Sequence, residues 1–342
     1  MATEFKPQRV ESPAAWRGSE ISQRSDWEHV LTTAQVAEVD AALQEVNRRG
    51  LAMEDITPGD FVLPELGSRL AQAQHDLENG TGAFFLRGWP VESYSVEDNT
   101  RAYWGMACHL GTPVSQSAKG EKVFSVRNAG FKKGDPRARG PNTSNKLHFH
   151  CDRCDVLGFL CINRAKEGGE SLLVSSITVH NEILERRPDL LEQLYQPWYY
   201  KTHNVDLANP EPWCRQPIFA IQDDRFVGYV LRVLIDRAYE LPELPDMTPL
   251  QREALDFLDD VCAEPDLNYR FYQEAGDILF VNNFVAFHSR TAFEDHEEEE
   301  RKRLIQRIWL AVPNSRALPP SFAGAFGATA AGAIRGGIHK VG

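Results

Sequence analysis

His150 and Asp152 are separated by a single residue, and a third side chain able to bind a metal, His288, lies far downstream at the end of an apolar run. A fold that uses all three must bring two remote segments together. In an extended chain the side chains at i and i+2 share a face, so His150 and Asp152 can approach one ion while Cys151 points away; a helix would separate them. A strand is therefore expected over residues 147–152. The run Ile278-Leu279-Phe280-Val281 reads as a second, buried strand, with Phe284-Val285-Ala286-Phe287 as the continuation that delivers His288. Two imidazoles and a carboxylate can occupy one face of a non-haem Fe(II) octahedron and leave the remaining positions open.

A return strand is expected from Arg303. On it Arg303, Ile305, Arg307 and Trp309 share one face, and Leu304, Ile308 and Leu310 share the other, so both arginines face the interior. A buried guanidinium needs a partner. Its planar fork matches a carboxylate by two parallel charge-assisted hydrogen bonds, which points to an anionic cosubstrate.

These residues are accompanied by Leu157-Gly158-Phe159-Leu160-Cys161 and by Ala165-Lys166-Glu167-Gly168-Gly169-Glu170-Ser171. With them the chain resembles the taurine dioxygenase and clavaminate synthase superfamily of Fe(II)/2-oxoglutarate oxygenases over about residues 80–313, where Gly80-Thr81-Gly82-Ala83-Phe84-Phe85-Leu86-Arg87-Gly88 looks like the family's first barrel strand. The resemblance implies an α+β fold with a mainly β core, a double-stranded β-helix or jelly roll with flanking helices. It implies Fe(II) held by His150, Asp152 and His288, and 2-oxoglutarate held at its distal carboxylate by Ser171 and Arg303. Arg307 matches a position that touches substrate or cosubstrate. The implied reaction consumes O2, releases succinate and CO2, and hydroxylates an unactivated C–H bond of a small molecule. Cys151 departs from the threonine common at its position, on the side facing away from the metal. Asp152 disfavours halogenation, which needs that position vacant. The alternatives are desaturation or cyclisation of a secondary metabolite, and a sensor that keeps the metal and 2-oxoglutarate without turnover. A zinc hydrolase would leave Ser171 and Arg303 without a task.

Several residues carry a plainer reading. His148 shares the face of His150, so a His148/His150 ligand pair competes with the assignment above. His180 and His203 read as ordinary helix or loop histidines. Cys151 and Cys154 have C-x2-C spacing without a second such pair, a weak zinc signal. Arg307 competes as a structural ion-pair partner, and Trp309 reads as core. Asn283 is either a turn residue or a contact to substrate or ligand. Tyr199, Tyr200, Phe131 and Trp213 are candidates for a pocket wall.

At 342 residues, 42% of them hydrophobic, the chain can bury one large core. A net charge of -12 argues against a nucleic-acid surface. No stretch approaches eighteen apolar residues, the first residues are polar, and the six cysteines suit free thiols, so a cytoplasmic protein that spans no membrane is expected. Three parts are expected: a polar arm over residues 1–24, one oxygenase domain over 25–321, and an Ala/Gly-rich tail over 322–342 that is mobile or folds over the site as a lid. Thr32 and Gln35 form a capping-box pattern ahead of a helix that Gly50 ends. Further helices are expected over 68–79 and 96–110, on either side of Pro188, and from Pro249 to Cys262, with strands over 123–127 and 171–174. The substrate is expected to be anionic or amino-acid-derived, and nothing in the sequence sets an oligomeric state.

Overall fold

The computed structural model describes residues 6–131, 140–203, 206, 207 and 209–340. The first five residues of the arm and the last two of the tail lie outside them. The larger sheet is built on the strands Ala83–Arg87, Ile278–Asn282, Val156–Asn163 and Leu304–Ala311, in that spatial order, with Glu28–Val30 on one edge and Val123–Val126 and Thr112–Pro113 beside Leu304–Ala311. A smaller sheet pairs Asn268–Phe271, Ser171–Ser175 and Ala286–Arg290.

Strand alternation sorts the large sheet into two faces. Phe84, Leu86, Leu160, Ile278, Phe280, Ile308 and Leu310 point outward into a core shared with the helices Thr33–Arg48, Leu66–Asn79 and Val96–Cys108. The Thr32–Gln35 capping box is present. Gly158 is required on this face: a Cβ there would come within 2.4 Å of the Tyr103 hydroxyl. Ala83, Phe85, Leu279 and Val281 point the other way and pack with Leu173, Phe271 and Ala286 of the small sheet. The two sheets thus face each other around an interior flanked by helices. The strand ladders do not join into a closed barrel.

Three expectations need correction. Residues 147–152 form no strand: the segment bends at Phe149 and pairs only through an isolated bridge at His150. The Leu147 amide donates to Arg290 O, His150 exchanges both backbone hydrogen bonds with His288, and the Cys151 amide turns to Val230 O. Partners change within five residues, so only an isolated bridge survives. Secondly, Phe284–Phe287 does not continue its predecessor in the same sheet: the chain leaves the large sheet at Asn282 and enters the small one at Ala286. Lastly, the Ala/Gly-rich tail is packed. Phe322, Phe326, Arg335 and Ile338 are buried, and Arg335 Nε lies 2.7 Å from Asp155 Oδ1. A few large side chains and one arginine are enough to dock a segment whose composition looks core-poor.

Candidate active site

His288 lies in the Ala286–Arg290 strand, and His150 reaches it through the isolated backbone bridge. Their rings are 4.2 Å apart between centroids. With Asp152 they offer two ring nitrogens and one carboxylate oxygen, all within 4.8 Å of one another. His150 Nδ1 is 2.8 Å from the His148 carbonyl, leaving Nε2 for a metal. Burial holds both imidazoles below their ordinary pKa, and for His288 the neighbouring His150 adds to the effect. Both are therefore neutral and ligand-competent near pH 7. Burial alone would push the Asp152 carboxyl up, but the charge of Arg307, helped by the two imidazoles when acid protonates them and by the Trp309 hydrogen bond, outweighs it, so the carboxyl lies below its ordinary value. A donor set of this kind fits a divalent transition metal with open positions.

The Leu304–Ala311 strand turns Arg303, Ile305, Arg307 and Trp309 inward, as its alternation predicts. Arg307 Nη1 donates to Asp152 Oδ2 at 3.0 Å, and Trp309 Nε1 donates to the same oxygen at 3.0 Å. Gln116 Oε1 accepts from Arg307 Nε at 2.7 Å. Arg307 is thus the partner of the carboxylate in the three-donor group itself. Trp309 is a buried core residue, as expected, and it also borders the large cavity described below.

A small cavity of about 60 Å³ extends from His150, His288 and Arg307 to Ser171, Arg290 and Arg303. Gly168 and Gly169, at φ +67° and +73°, make the turn that starts the Ser171 strand. Ser171 Oγ lies 3.4 Å from Gln273 Oε1. Arg303 is buried, its pKa is lowered to about 10 by burial, and its Nη1 has no hydrogen-bond partner among the described residues. Arg290, which the sequence reading passed over, is equally buried, and its pKa is lowered to about 9 by burial and by the charge of Arg303. It stands two residues beyond His288 on the same strand face, a spacing that could have found it.

A second, larger cavity of about 730 Å³ opens beside His150, Asp152, Arg307 and Trp309. Tyr200 lines it; Tyr199, Trp213 and Phe131 do not. Gly324, Ala325 and Ile338 of the tail form part of its wall. The carboxylates of Asp206, and of Asp236, Asp256 and Asp259, neutralise the lining residues Arg153 and Arg232. Lys146, Lys201 and Arg237 also line it, and none has a carboxylate partner among the described residues.

The remaining expectations resolve locally. His148 is directed to Asp259 at 3.4 Å rather than into the ligand group. His203 lines the large cavity. His180 is buried between Asn181 and Tyr195. Asn283 lines neither cavity and is fully buried. Its Oδ1 accepts the Asp152 amide hydrogen at 3.1 Å, and its Nδ2 donates to Cys154 O at 3.2 Å and lies 3.0 Å from Cys154 Sγ. It clamps the turn bearing Asp152, so the reading as a substrate contact is corrected. Cys151 and Cys154 both touch Asn283, and burial pushes both thiols up.

The family model for "Taurine catabolism dioxygenase TauD, TfdA family" matches residues 49–309. The chain belongs to the TauD/TfdA family. Membership makes it an enzyme, an Fe(II)- and 2-oxoglutarate-dependent dioxygenase by class. Among TauD/TfdA-like proteins, it is 29% identical over 321 residues to the FR-33289 synthase of Streptomyces rubellomurinus, covering 91% of this chain and 93% of that protein. It is 28% identical over 312 residues to the taurine hydroxylase-like protein SAT17 of Stachybotrys chartarum, covering 88% and 79%. Asparagine oxygenase, solved with Fe(II), 2S,3S-3-hydroxyasparagine and succinate, superposes with a TM-score of 0.65 at 18% identity, covering 90% of this chain and 99% of that one. The non-heme iron oxygenase OrfP, solved with Fe, succinate and (3S)-hydroxy-L-Arg, gives a TM-score of 0.62 at 14% identity, covering 83% and 94%. At these identities the two structures speak for the fold, the sheet-dominated oxygenase core with flanking helices.

Proposed function

We propose that His150, Asp152 and His288 hold Fe(II), that Ser171 and Arg303 hold the distal carboxylate of 2-oxoglutarate, and that the enzyme hydroxylates a small molecule bound in the larger cavity. The observation that carries this reading is the three-donor cluster joined by a small cavity to a buried guanidinium, that of Arg303, whose Nη1 lacks a partner among the described residues. Burial without a partner is costly for such a group, and a carboxylate arriving with the cosubstrate removes that cost.

When bound, iron with 2-oxoglutarate supplies the oxidation of an unactivated C–H bond by O2, with succinate and CO2 released. The chain's own contribution is positioning. Arg307 and Trp309 occupy one oxygen of Asp152 and leave the other for the metal. The His148 carbonyl fixes the orientation of His150. Phe159, against His288 at 5.7 Å between ring centroids, and Trp309 wall the site with apolar surface and exclude water.

The substrate we infer is small and anionic, in keeping with Lys146, Lys201 and Arg237, which have no carboxylate partner among the described residues, in a chain of net charge -12. The hydroxylated amino acids named with the similar structures support an amino-acid-derived skeleton. Cytoplasmic location belongs to the same proposal, supported by six unpaired cysteines. The test is succinate formation from 2-oxoglutarate by Fe(II)-loaded protein exposed to O2, across a panel of anionic and amino-acid compounds. Stimulation by an anionic compound, lost in Asp152→Ala and Arg303→Ala, is the expected result; turnover surviving in both variants would refute the assignment.

A further inference from the structure

Five arginines are buried among the described residues: Arg290, Arg303, Arg307, Arg316 and Arg335. Three of them meet a carboxylate: Arg307 with Asp152, Arg316 with Glu78, and Arg335 with Asp155. Arg290 and Arg303 do not, although they line the same small cavity and each leaves Nη1 without a hydrogen-bond partner among the described residues. Two guanidinium groups sharing one buried space, with the Asp295 carboxylate acting on both only from beyond ion-pair distance, repel each other, an arrangement that an anion between them relieves.

The rest of Arg290 is fixed. Its Nη2 donates to Thr143 O at 2.9 Å and to Asn145 O at 2.5 Å, and its Nε donates to Thr291 O at 3.3 Å. Nη1 is the end left over. Arg290 is also the direct cross-strand partner of Ser171, so the two project from the same face of the small sheet as His288. Arg303 comes from the beginning of the opposing strand in the large sheet.

We propose that Arg290 is a second anchor for the distal carboxylate of 2-oxoglutarate, facing Arg303 across it, and that the pair sets the preference for a dicarboxylate over a monocarboxylate 2-oxo acid. The inference rests on the 2-oxoglutarate reading above. Carbonyl contacts hold the Arg290 fork in advance, so little side-chain freedom is lost when the carboxylate arrives.

The experiment is an anaerobic titration of the Fe(II)-loaded full-length enzyme, followed through the visible charge-transfer band of an Fe(II)–2-oxo-acid chelate. It uses wild type, Arg290→Gln and Arg290→Lys, with 2-oxoglutarate and with 2-oxovalerate, the five-carbon analogue that lacks the distal carboxylate. Loss of one charged hydrogen bond weakens 2-oxoglutarate binding about 10- to 100-fold in Arg290→Gln, with 2-oxovalerate changed by no more than about twofold. Arg290→Lys, which keeps the charge and loses the fork, falls between. Equal weakening of both acids marks Arg290 as merely structural and overturns the proposal, as does unchanged 2-oxoglutarate affinity. Should Arg290→Gln fail to fold, the ratio of the two affinities in Arg290→Lys decides in the same way. If wild type binds 2-oxovalerate as tightly as 2-oxoglutarate, the distal-carboxylate site itself is wrong; if only the variants are indistinguishable from wild type, Arg290 alone is misassigned.

Discussion

Arg307 holds Asp152 by a single oxygen: its Nη1 stands 3.0 Å from Oδ2, where the Trp309 indole also donates. A carboxylate otherwise free to rotate is held at one oxygen by two donors, which leaves its second oxygen free of them. The Leu304–Ala311 strand therefore orients the carboxylate of the three-donor group and follows directly on Arg303.

Outer partners of metal ligands commonly change metal affinity about 10- to 100-fold. Arg307→Lys is expected to fall in that range, and Trp309→Phe, which keeps the ring packing and loses one donor, near its lower end. Anaerobic Fe(II) titration measures both. Wild-type affinity in Arg307→Lys would mean that Asp152 needs no such support.

Asn283→Ala leaves the Asp152 amide hydrogen buried without its acceptor, at a cost of about 1–3 kcal/mol. A lower Tm and weaker Fe(II) binding are expected together. A variant that altered only the substrate KM would restore the substrate-contact role that the buried position of Asn283 argues against.

The Arg335–Asp155 pair tests the tail. Both side chains are almost fully buried, and Asp155 also accepts from the Val312 amide at 3.0 Å. Removing one partner of a buried pair costs about 3–5 kcal/mol, so Arg335→Ala should lower Tm markedly, and deletion of residues 322–342 should do so further by uncovering Tyr229 and Phe284. A truncated enzyme with wild-type Tm would mean that the tail is dispensable to the folded body.

What was legible in the sequence followed strand alternation and chemistry. Arg303, Ile305, Arg307 and Trp309 turn inward as a period of two requires, and the Thr32 capping box marks a helix start correctly. Other features depend on partners remote in sequence. His150 borrows its backbone partner from His288 and Cys151 from Val230, so local pattern suggested a ladder where only a bridge exists. Nothing around Asn282 signals the change of sheet. Arg335 sits among alanines and glycines, and its importance comes from Asp155, 180 residues away. Arg290 was within reach of the i+2 rule already applied to His150, but it lacked a motif to draw notice.

Acid should weaken the fold through His180. Burial lowers its pKa to about 4, while Nδ1 and Nε2 are engaged by Asn181 and Tyr195. Between pH 6.5 and about 4 the unfolded chain binds a proton that the folded one refuses, so this contribution to stability is complete above pH 6.5 and is lost as pH falls. One unit below 6.5 the loss is about 1 kcal/mol. Thermal melts from pH 7.5 to 4.5 should show a shallower decline in His180→Gln than in wild type; parallel curves would remove His180 as a source of the pH dependence.

The central claim is that His150, Asp152 and His288 form one Fe(II) site next to the cosubstrate pocket. Anaerobic titration of the protein with Fe(II), in the presence of 2-oxoglutarate, tests it most directly. One Fe(II) per chain with a visible charge-transfer band in wild type, and at least tenfold weaker iron binding in both His150→Ala and His288→Ala, is the predicted result. A wild-type protein that develops no such band, or alanine variants that bind iron as wild type does, would contradict it.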